Sequence, residues 1–444
     1  MLTGENGILK RAIEAKEKTD LSQKQEKNEM SKIEELIKEN VDNVKVEQVE
    51  DAAPGELEKE DENTYIINSI EDLVVLAYTV TSGEDNFEGK TVKLGVSLDF
   101  NSVKSYSDAF RTDYGKYGYE GELKTLLTSK EGFKSIGLTT SDDKDKNWMG
   151  TFDGNNNEIC NLYINLASEE RNGKIGLFSN NFGNIKNVYL KNVNLHLECA
   201  YAAVGAISGQ NSKSGNISGC TVSGKIYNKS TQGIAGGITS YSSGSIINCM
   251  NQSNINCMTE SNGKAGTYIG GICSSTSSET IIQNCCNTGN ITGKDETYIL
   301  CIGGITGLDG GSGAGKILNC YNKGSIDGSG DIFRCGGIIG YGFNSIENCY
   351  NSGEMKGNGK NECYVGMLVG RKKDTFNILN SYYIKVNDLS SSGNTSENTQ
   401  EIKTESEMMQ DEFIKTLNNN TNVWEKDIKG INNGYPILKN IRYY

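Results

Sequence analysis

Histidine is almost missing: His196 is the only one in 444 residues. A His-Glu-x-x-His zinc site takes two on one helix face, so that chemistry is excluded, and His196, in Val193-Asn194-Leu195-His196-Leu197, reads as an outward strand position. Positive charge is short as well, with 44 Lys and Arg against 57 Asp and Glu and a formal net charge of -13. No basic patch is then available to neutralise phosphate, and nucleic acid is not an expected partner. No apolar run reaches the roughly 18 residues of a membrane helix. No Cys-x-x-Cys pair occurs among the thirteen cysteines, which removes the usual spacing of a structural zinc site. No phosphate-cradling glycine loop precedes a helix, and no cofactor is expected. Only two prolines, beside abundant Asn, Lys and Ile, suggest by composition an AT-rich bacterial coding sequence.

What the chain has in quantity is repetition. Seven copies of one phrase run from Gly173 to about Ile384, roughly 29 to 36 residues apart, the signature of a stacked array. Each opens on a glycine-apolar run: Ile175-Gly176-Leu177-Phe178, Val204-Gly205-Ala206-Ile207, Ala235-Gly236-Gly237-Ile238, Ile269-Gly270-Gly271-Ile272, Ile302-Gly303-Gly304-Ile305, Gly336-Gly337-Ile338-Ile339 and Val365-Gly366-Met367-Leu368. Each closes on Ile-x-Asn-Cys or a variant, as in Ile282-Gln283-Asn284-Cys285. Helical repeats would need Ala- and Leu-rich runs at helical spacing. Propeller blades take about 40 to 45 residues and leucine-rich repeats about 20 to 29. About 30 residues suits one turn of a chain coiling through three short strands separated by Gly, Asn and Ser turns. The expected fold is all-β: a right-handed parallel β-helix of about 30-residue coils with helical N- and C-terminal caps and a separate N-terminal α-helix.

In such a coil identical positions stack at about 4.8 Å. The isoleucine of each closing phrase would line the interior. Asn248, Asn284, Asn319, Asn348 and Asn380 would turn a corner in the left-handed backbone that asparagine tolerates, each amide bonding the next. Gly219 holds that corner in its copy. Cys220, Cys249, Cys285, Cys320 and Cys349, with Val188 and Ser381 at the ends, form a third row of small buried side chains, expected as free thiols. Metal binding there is disfavoured because the cysteines lie a full repeat apart, and disulfides because their Cβ vectors would run parallel.

At these residues the chain resembles the GLUG-motif repeat proteins, named for a Gly-Leu-x-Gly phrase. Gly337-Ile338-Ile339-Gly340 and Met367-Leu368-Val369-Gly370 match it in character, and Gly304-Ile305-Thr306-Gly307 nearly so. Gly150-Thr151-Phe152-Asp153-Gly154-Asn155, followed by Ile159 to Ile164, resembles the lead-in coil of such repeats. The resemblance implies a bacterial surface or secreted β-solenoid and no particular reaction. GLUG repeats also occur in IgA-specific metallopeptidases, of which this chain could supply at most a non-catalytic piece.

In chain order, residues 1-43 read as a charged helix, with Ile8, Leu9, Ala12 and Ile13, then Ile33, Leu36 and Ile37, at helical spacing. Met1 to Leu9 leading into Ala12 to Thr19 resembles the segment that follows the membrane helix in type IV pilin-like proteins of Gram-positive bacteria. The resemblance implies an apolar stretch upstream, with Met1 an internal start or the chain trimmed, and pilus-like assembly partners. Residues 44-63 form an acidic, flexible linker. Residues 64-158 are expected as an N-terminal cap and lead-in coil: a strand at Tyr65-Ile66-Ile67, a helix capped by Ser69 and Asp72, and one strand alternating from Val92 to Phe100. An insertion with Tyr106, Tyr114, Tyr117 and Tyr119 follows, and Asp142, Asp143 and Asp145 lack the spacing of a calcium loop. Repeats occupy 159-388. Residues 389-444 form a C-terminal loop and cap, with a helix from Thr404 through Met409, Phe413 and Leu417, and Trp424 and Tyr435-Pro436-Ile437-Leu438 closing the far end.

Among carboxylates, Asp153 is the best single catalytic candidate, yet glycosidic catalysis takes a clustered pair or a carboxylate with a base. The expected role is therefore non-enzymatic: a rod of about eight coils, roughly 35 to 40 Å long, extracellular or on the cell surface. It would act as adhesin or pilin-like subunit with a host matrix or glycan ligand, and touch a membrane only through an upstream segment. A carbohydrate-active β-helix enzyme and the non-catalytic region of an IgA-peptidase-like protein are the alternatives.

Overall fold

A computed structural model describes residues 57-100, 132-137, 144-259, 265-311, 313-384, 389-395 and 402-443. The expected 1-43 helix, residues 44-56 of the expected linker, the tyrosine-bearing insertion, and Asp142 and Asp143 lie outside them. The rest of that linker belongs to the folded body instead: Leu57 is buried, and Glu58–Lys59 pairs antiparallel with Tyr65 and Ile66.

The described chain is a parallel β-solenoid of about nine turns. One coil shows the path. Strand Thr267–Gly270 turns at Gly270-Gly271 into Cys273–Thr276, which turns again into Ile281–Gln283. The chain corners at Asn284 into Cys286–Asn287, and Ile291–Gly303 begins the next coil. Each strand pairs in parallel with its counterpart one coil on, which builds three faces. The longer strands, Tyr189–Gly205, Ile291–Gly303, Ile326–Gly336 and Met355–Gly366, bend part-way along, and register shifts mark the bend at Asp295/Ile299 and Gly330/Ile332.

The core follows from residue type. Val92, Phe152, Ile185, Ile217, Ile246, Ile282, Ile317, Ile346 and Ile378 stand in direct register, one per coil. All but Ile378 are buried, each Å² of apolar surface contributing about 25 cal/mol. The N-terminal end is closed by the helix Ile70–Ser82, whose cap Ser69 accepts the Asp72 amide, and by Trp148, on which Phe87 stacks and against which Phe178 is tilted.

Three details depart from the sequence reading. The alternation from Val92 to Phe100 is two strands, Thr91–Leu94 and Leu98–Asp99. Gly95 breaks it: its amide donates to the Ile67 carbonyl, and a Cβ there would lie 2.1 Å from Asn68 Oδ1. The capping box Thr404/Glu407 holds a short helix of its own, Glu405–Met408, and Phe413 and Leu417 belong to a second, Asp411–Asn418.

The third departure is the largest. Residues 389-395 and Ile402–Lys403 continue the last coil, Ile402 pairing with Tyr383. From there the chain lies along the flank rather than across the far end. Met408, Phe413, Leu417, Trp424, Tyr435 and Leu438 cover Met250, Cys286, Tyr321 and Tyr350, an outward row in register from coil to coil. That apolar stripe would otherwise face water.

Candidate functional site

The structure places the asparagine corner at φ between +44° and +55° for Asn248, Asn284, Asn319, Asn348 and Asn380. Asn284, Asn319, Asn348 and Asn380 each donate Nδ2 to the Oδ1 of the asparagine before, at 3.0, 3.0, 3.1 and 2.6 Å. Gly219, at φ +62°, interrupts the row between Asn187 and Asn248. Such chains polarise one another, and buried amides left unbonded would be costly.

Cys220, Cys249, Cys285, Cys320 and Cys349 are buried, and all thirteen cysteines are free. The amides of Cys249, Cys285 and Cys320 donate to the sulfur one coil on at 3.4 Å, and that of Cys349 to Ser381 Oγ at 3.1 Å. Burial pushes the thiols of Cys220, Cys285 and Cys349 well above the ordinary range. At Cys249 and Cys320 the same burial is opposed by neighbouring hydrogen bonds. A thiolate inside this apolar row, with no cation beside it, would cost more than a buried thiol, so all five stand protonated. Among the described residues no group of three His, Cys, Asp or Glu side chains is placed to hold a metal ion.

A second asparagine row lies deeper and was not read from the sequence. Asn251, Asn287, Asn322 and Asn351 are fully buried; the first three donate to the next at 2.8, 2.8 and 2.9 Å, and all four to a carbonyl two residues on. They explain the doubled glycine. A Cβ on Gly237, Gly271, Gly304 or Gly337 would come within 2.3 or 2.4 Å of the asparagine Cγ of its own coil. The recurring words Asn-Cys-Met-Asn, Asn-Cys-Cys-Asn and Asn-Cys-Tyr-Asn carried this signal.

An open hollow on the outside has a similar origin. Cys257, Gly293, Gly328 and Gly357 share an inward-facing row. A Cβ at Gly293 would lie 2.6 Å from Ile269 and Ile302, and one at Gly357 would lie 2.0 Å from Phe333. The backbone therefore rests directly on the core and the sheet dips, leaving a groove of about 430 Å³. Two outward rows line it, Asn256-Thr292-Asp327 and Met258-Lys294-Ser329-Asn358. Asn256 Oδ1 is buried there without a hydrogen-bond partner. The first row continues upstream through Tyr227 and His196, stacked 4.7 Å apart at 14°. The sequence signal was the recurring Ile-Thr-Gly, Ile-Asp-Gly and Met-Lys-Gly at 291, 326 and 355.

Asp153 stands apart from this groove and does have partners. Lys186 lies 3.0 Å away, and the Asn155 amide and Asn187 Nδ2 donate to it. Burial raises its pKa, but these groups outweigh it and the carboxyl is held below its usual range.

The groove and rows define a repeat solenoid with an open groove lined by side chains from successive coils. No family model matches the chain, and no curated protein matches it. Among solved structures it is similar to a Bacteroides ovatus protein provisionally named an immunoglobulin A1 protease, at 18% identity and a TM-score of 0.53 over 86% of this chain and 94% of that one. A structure named IgA1 protease matches at 16% identity and a TM-score of 0.49, over 79% of this chain and 24% of that one. At such identities the first likeness shows the shared solenoid fold.

Proposed function

We propose that the chain is a non-enzymatic binding solenoid of a bacterial surface or secreted protein, adhesin-like in role, whose groove takes an uncharged stretch of glycan. The groove carries the reading. Amide and hydroxyl groups from successive coils suit sugar hydroxyls, with the Asn256 amide at the head of one row, and Met258 and the three glycines leave apolar surface for a ring face. Asp327 is the one carboxylate among its described lining residues, where glycosidic hydrolysis takes two. The GLUG-like phrases and the pilin-like N-terminal words support surface display and pilus-like partners.

A second reading, the non-catalytic repeat region of an IgA-peptidase-like protein, is favoured by the name given to the Bacteroides ovatus neighbour. A panel of host matrix proteins and neutral glycans separates the two. Salt-resistant binding that falls at least about tenfold in Asn256→Ala supports the groove reading. Release of reducing ends from any glycan overturns it in favour of an enzyme, and binding unchanged by Asn256→Ala overturns the groove.

A further inference from the structure

Arg334 has the chemistry of an unfilled anion site. It lies beyond the bend of the strand Ile326–Gly336, on the other side of residues 330-332 from the groove. Its neighbours Phe333 and Cys335 point into the core, so Arg334 points outward, yet it is only 8% exposed. Among the described residues no carboxylate comes within ion-pair distance of it; the guanidinium meets the side chain of Cys301, its partner one coil back, and its Nε is buried without a partner. A buried guanidinium is ordinarily paired, because desolvating the charge is otherwise uncompensated.

Its surroundings add charge of the same sign. The guanidinium sits 4.4 Å from the Tyr341 ring centre, and Arg371 and Lys373 lie 5.8 and 5.9 Å from the same ring. Arg371 also faces Tyr364, and Lys373 faces Phe343. Among the described residues the single carboxylate paired with this group is Glu362, 3.7 Å from Arg371. Three cations beside one carboxylate, in a chain of net charge -13, leave an anion missing.

We propose that this cluster binds an acidic sugar, its carboxylate held by Arg334 and its ring lying against the tyrosines. Guanidinium suits a carboxylate fork-to-fork, and the aromatic faces suit the apolar side of a pyranose. A peptide fits less well, since the strands here are hydrogen-bonded to coils on both sides and offer no free edge for main-chain pairing. The site is independent of the groove and stands or falls separately from it.

The test is calorimetric titration of the full chain with methyl glucuronide and with methyl glucoside, which share a ring and differ in the carboxylate. The glucuronide is expected to bind saturably and the glucoside at least about tenfold more weakly. Arg334→Gln is expected to remove the difference while leaving the unliganded melting temperature unchanged or raised, because it deletes an uncompensated charge. Should that variant fold poorly, Arg371→Gln with Lys373→Gln at the rim is expected to weaken the glucuronide by about threefold to tenfold. Asn256→Ala should leave it untouched. Equal binding of the two sugars, no glucuronide binding up to about 50 mM, displacement by hexaglutamate, or a fall in melting temperature with no change in binding would each overturn the proposal.

Discussion

The second glycine of each pair and the asparagine beside it form one packing unit, and the chain itself shows this. Where the glycine position holds Leu177, Ala206 or Met367, the asparagine position holds Leu190, Val222 or Tyr383. Gly304→Ala should therefore destabilise by about 1–3 kcal/mol, since its Cβ would meet Asn322 Cγ at 2.4 Å and the Gly337 carbonyl at 2.1 Å. Adding Asn322→Val should cost less than the two separate losses summed, as read by chemical denaturation. The corner row supplies the opposite case. Gly219 already holds the left-handed conformation of its neighbours, and the nearest atom to a new Cβ is the flexible Asn187 Oδ1. Gly219→Asn should join the two halves of the ladder and raise stability by about 0.5–1 kcal/mol, seen as a higher melting temperature. The cysteines offer a third measurement. Cys363 is exposed, Cys160 is half-buried with burial pushing its thiol up, and the other eleven are buried. A thiol reagent should find one fast site in the native chain and thirteen after denaturation; several fast sites would contradict the packed rows.

At the scale of the element, the strands were legible and the way the C-terminal helices lie was not. Ile-x-Asn-Cys names an inward residue, a left-handed corner and a small buried side chain in succession, so the period and the interior could be read together. The groove was hidden because Gly293, Gly328 and Gly357 look like turn residues, and only the core side chains beneath them reveal a dip. Phe413 and Leu417 show that a helix buries one face but not which surface it meets. The outward row of Met250, Cys286, Tyr321 and Tyr350 decides that. Trp424 lies 5.4 Å from the Tyr350 ring, whose hydroxyl donates to the Pro436 carbonyl at 2.5 Å and accepts from Asn432 Nδ2 at 2.7 Å. Trp424→Ala should cost about 3–5 kcal/mol, measured as a lower denaturation midpoint. Asp427 fixes the loop before Tyr435 by accepting the amides of Ile431, Asn432 and Gly434. Burial raises its pKa, but those amides win and hold it below the usual value. Its contribution is therefore present above the unfolded pKa near 4 and lost as pH falls through the lower folded value. Acidification below about pH 4 should loosen this segment in the native protein, and Asp427→Asn should abolish that step in Trp424 fluorescence.

For the whole molecule the flank segment changes how the solenoid comes apart. Each coil touches only its neighbours, so a bare array can fray from either end. Here one segment reaches along the array. Ile402 pairs with the last coil at Tyr383, Trp424 packs on Tyr321 and Tyr350, the Arg442 carbonyl accepts from Thr221 Oγ1, and Arg442 Nη1 donates to the Asn156 carbonyl at 3.1 Å. Arg442 also stacks 4.2 Å over Tyr189. Opening either end therefore breaks contacts of a segment anchored elsewhere, which should make unfolding more cooperative than nearest-neighbour stacking alone. Ending the chain after Lys403 tests this. The shortened protein should keep its strands but lose hydrogen-exchange protection progressively towards the last coil, and its denaturant slope should fall. Cys286, fully buried beneath the segment, should then react as a second fast thiol beside Cys363. A shortened chain that melts in one transition at the original midpoint with Cys363 alone reactive would show that the coils hold together without the segment.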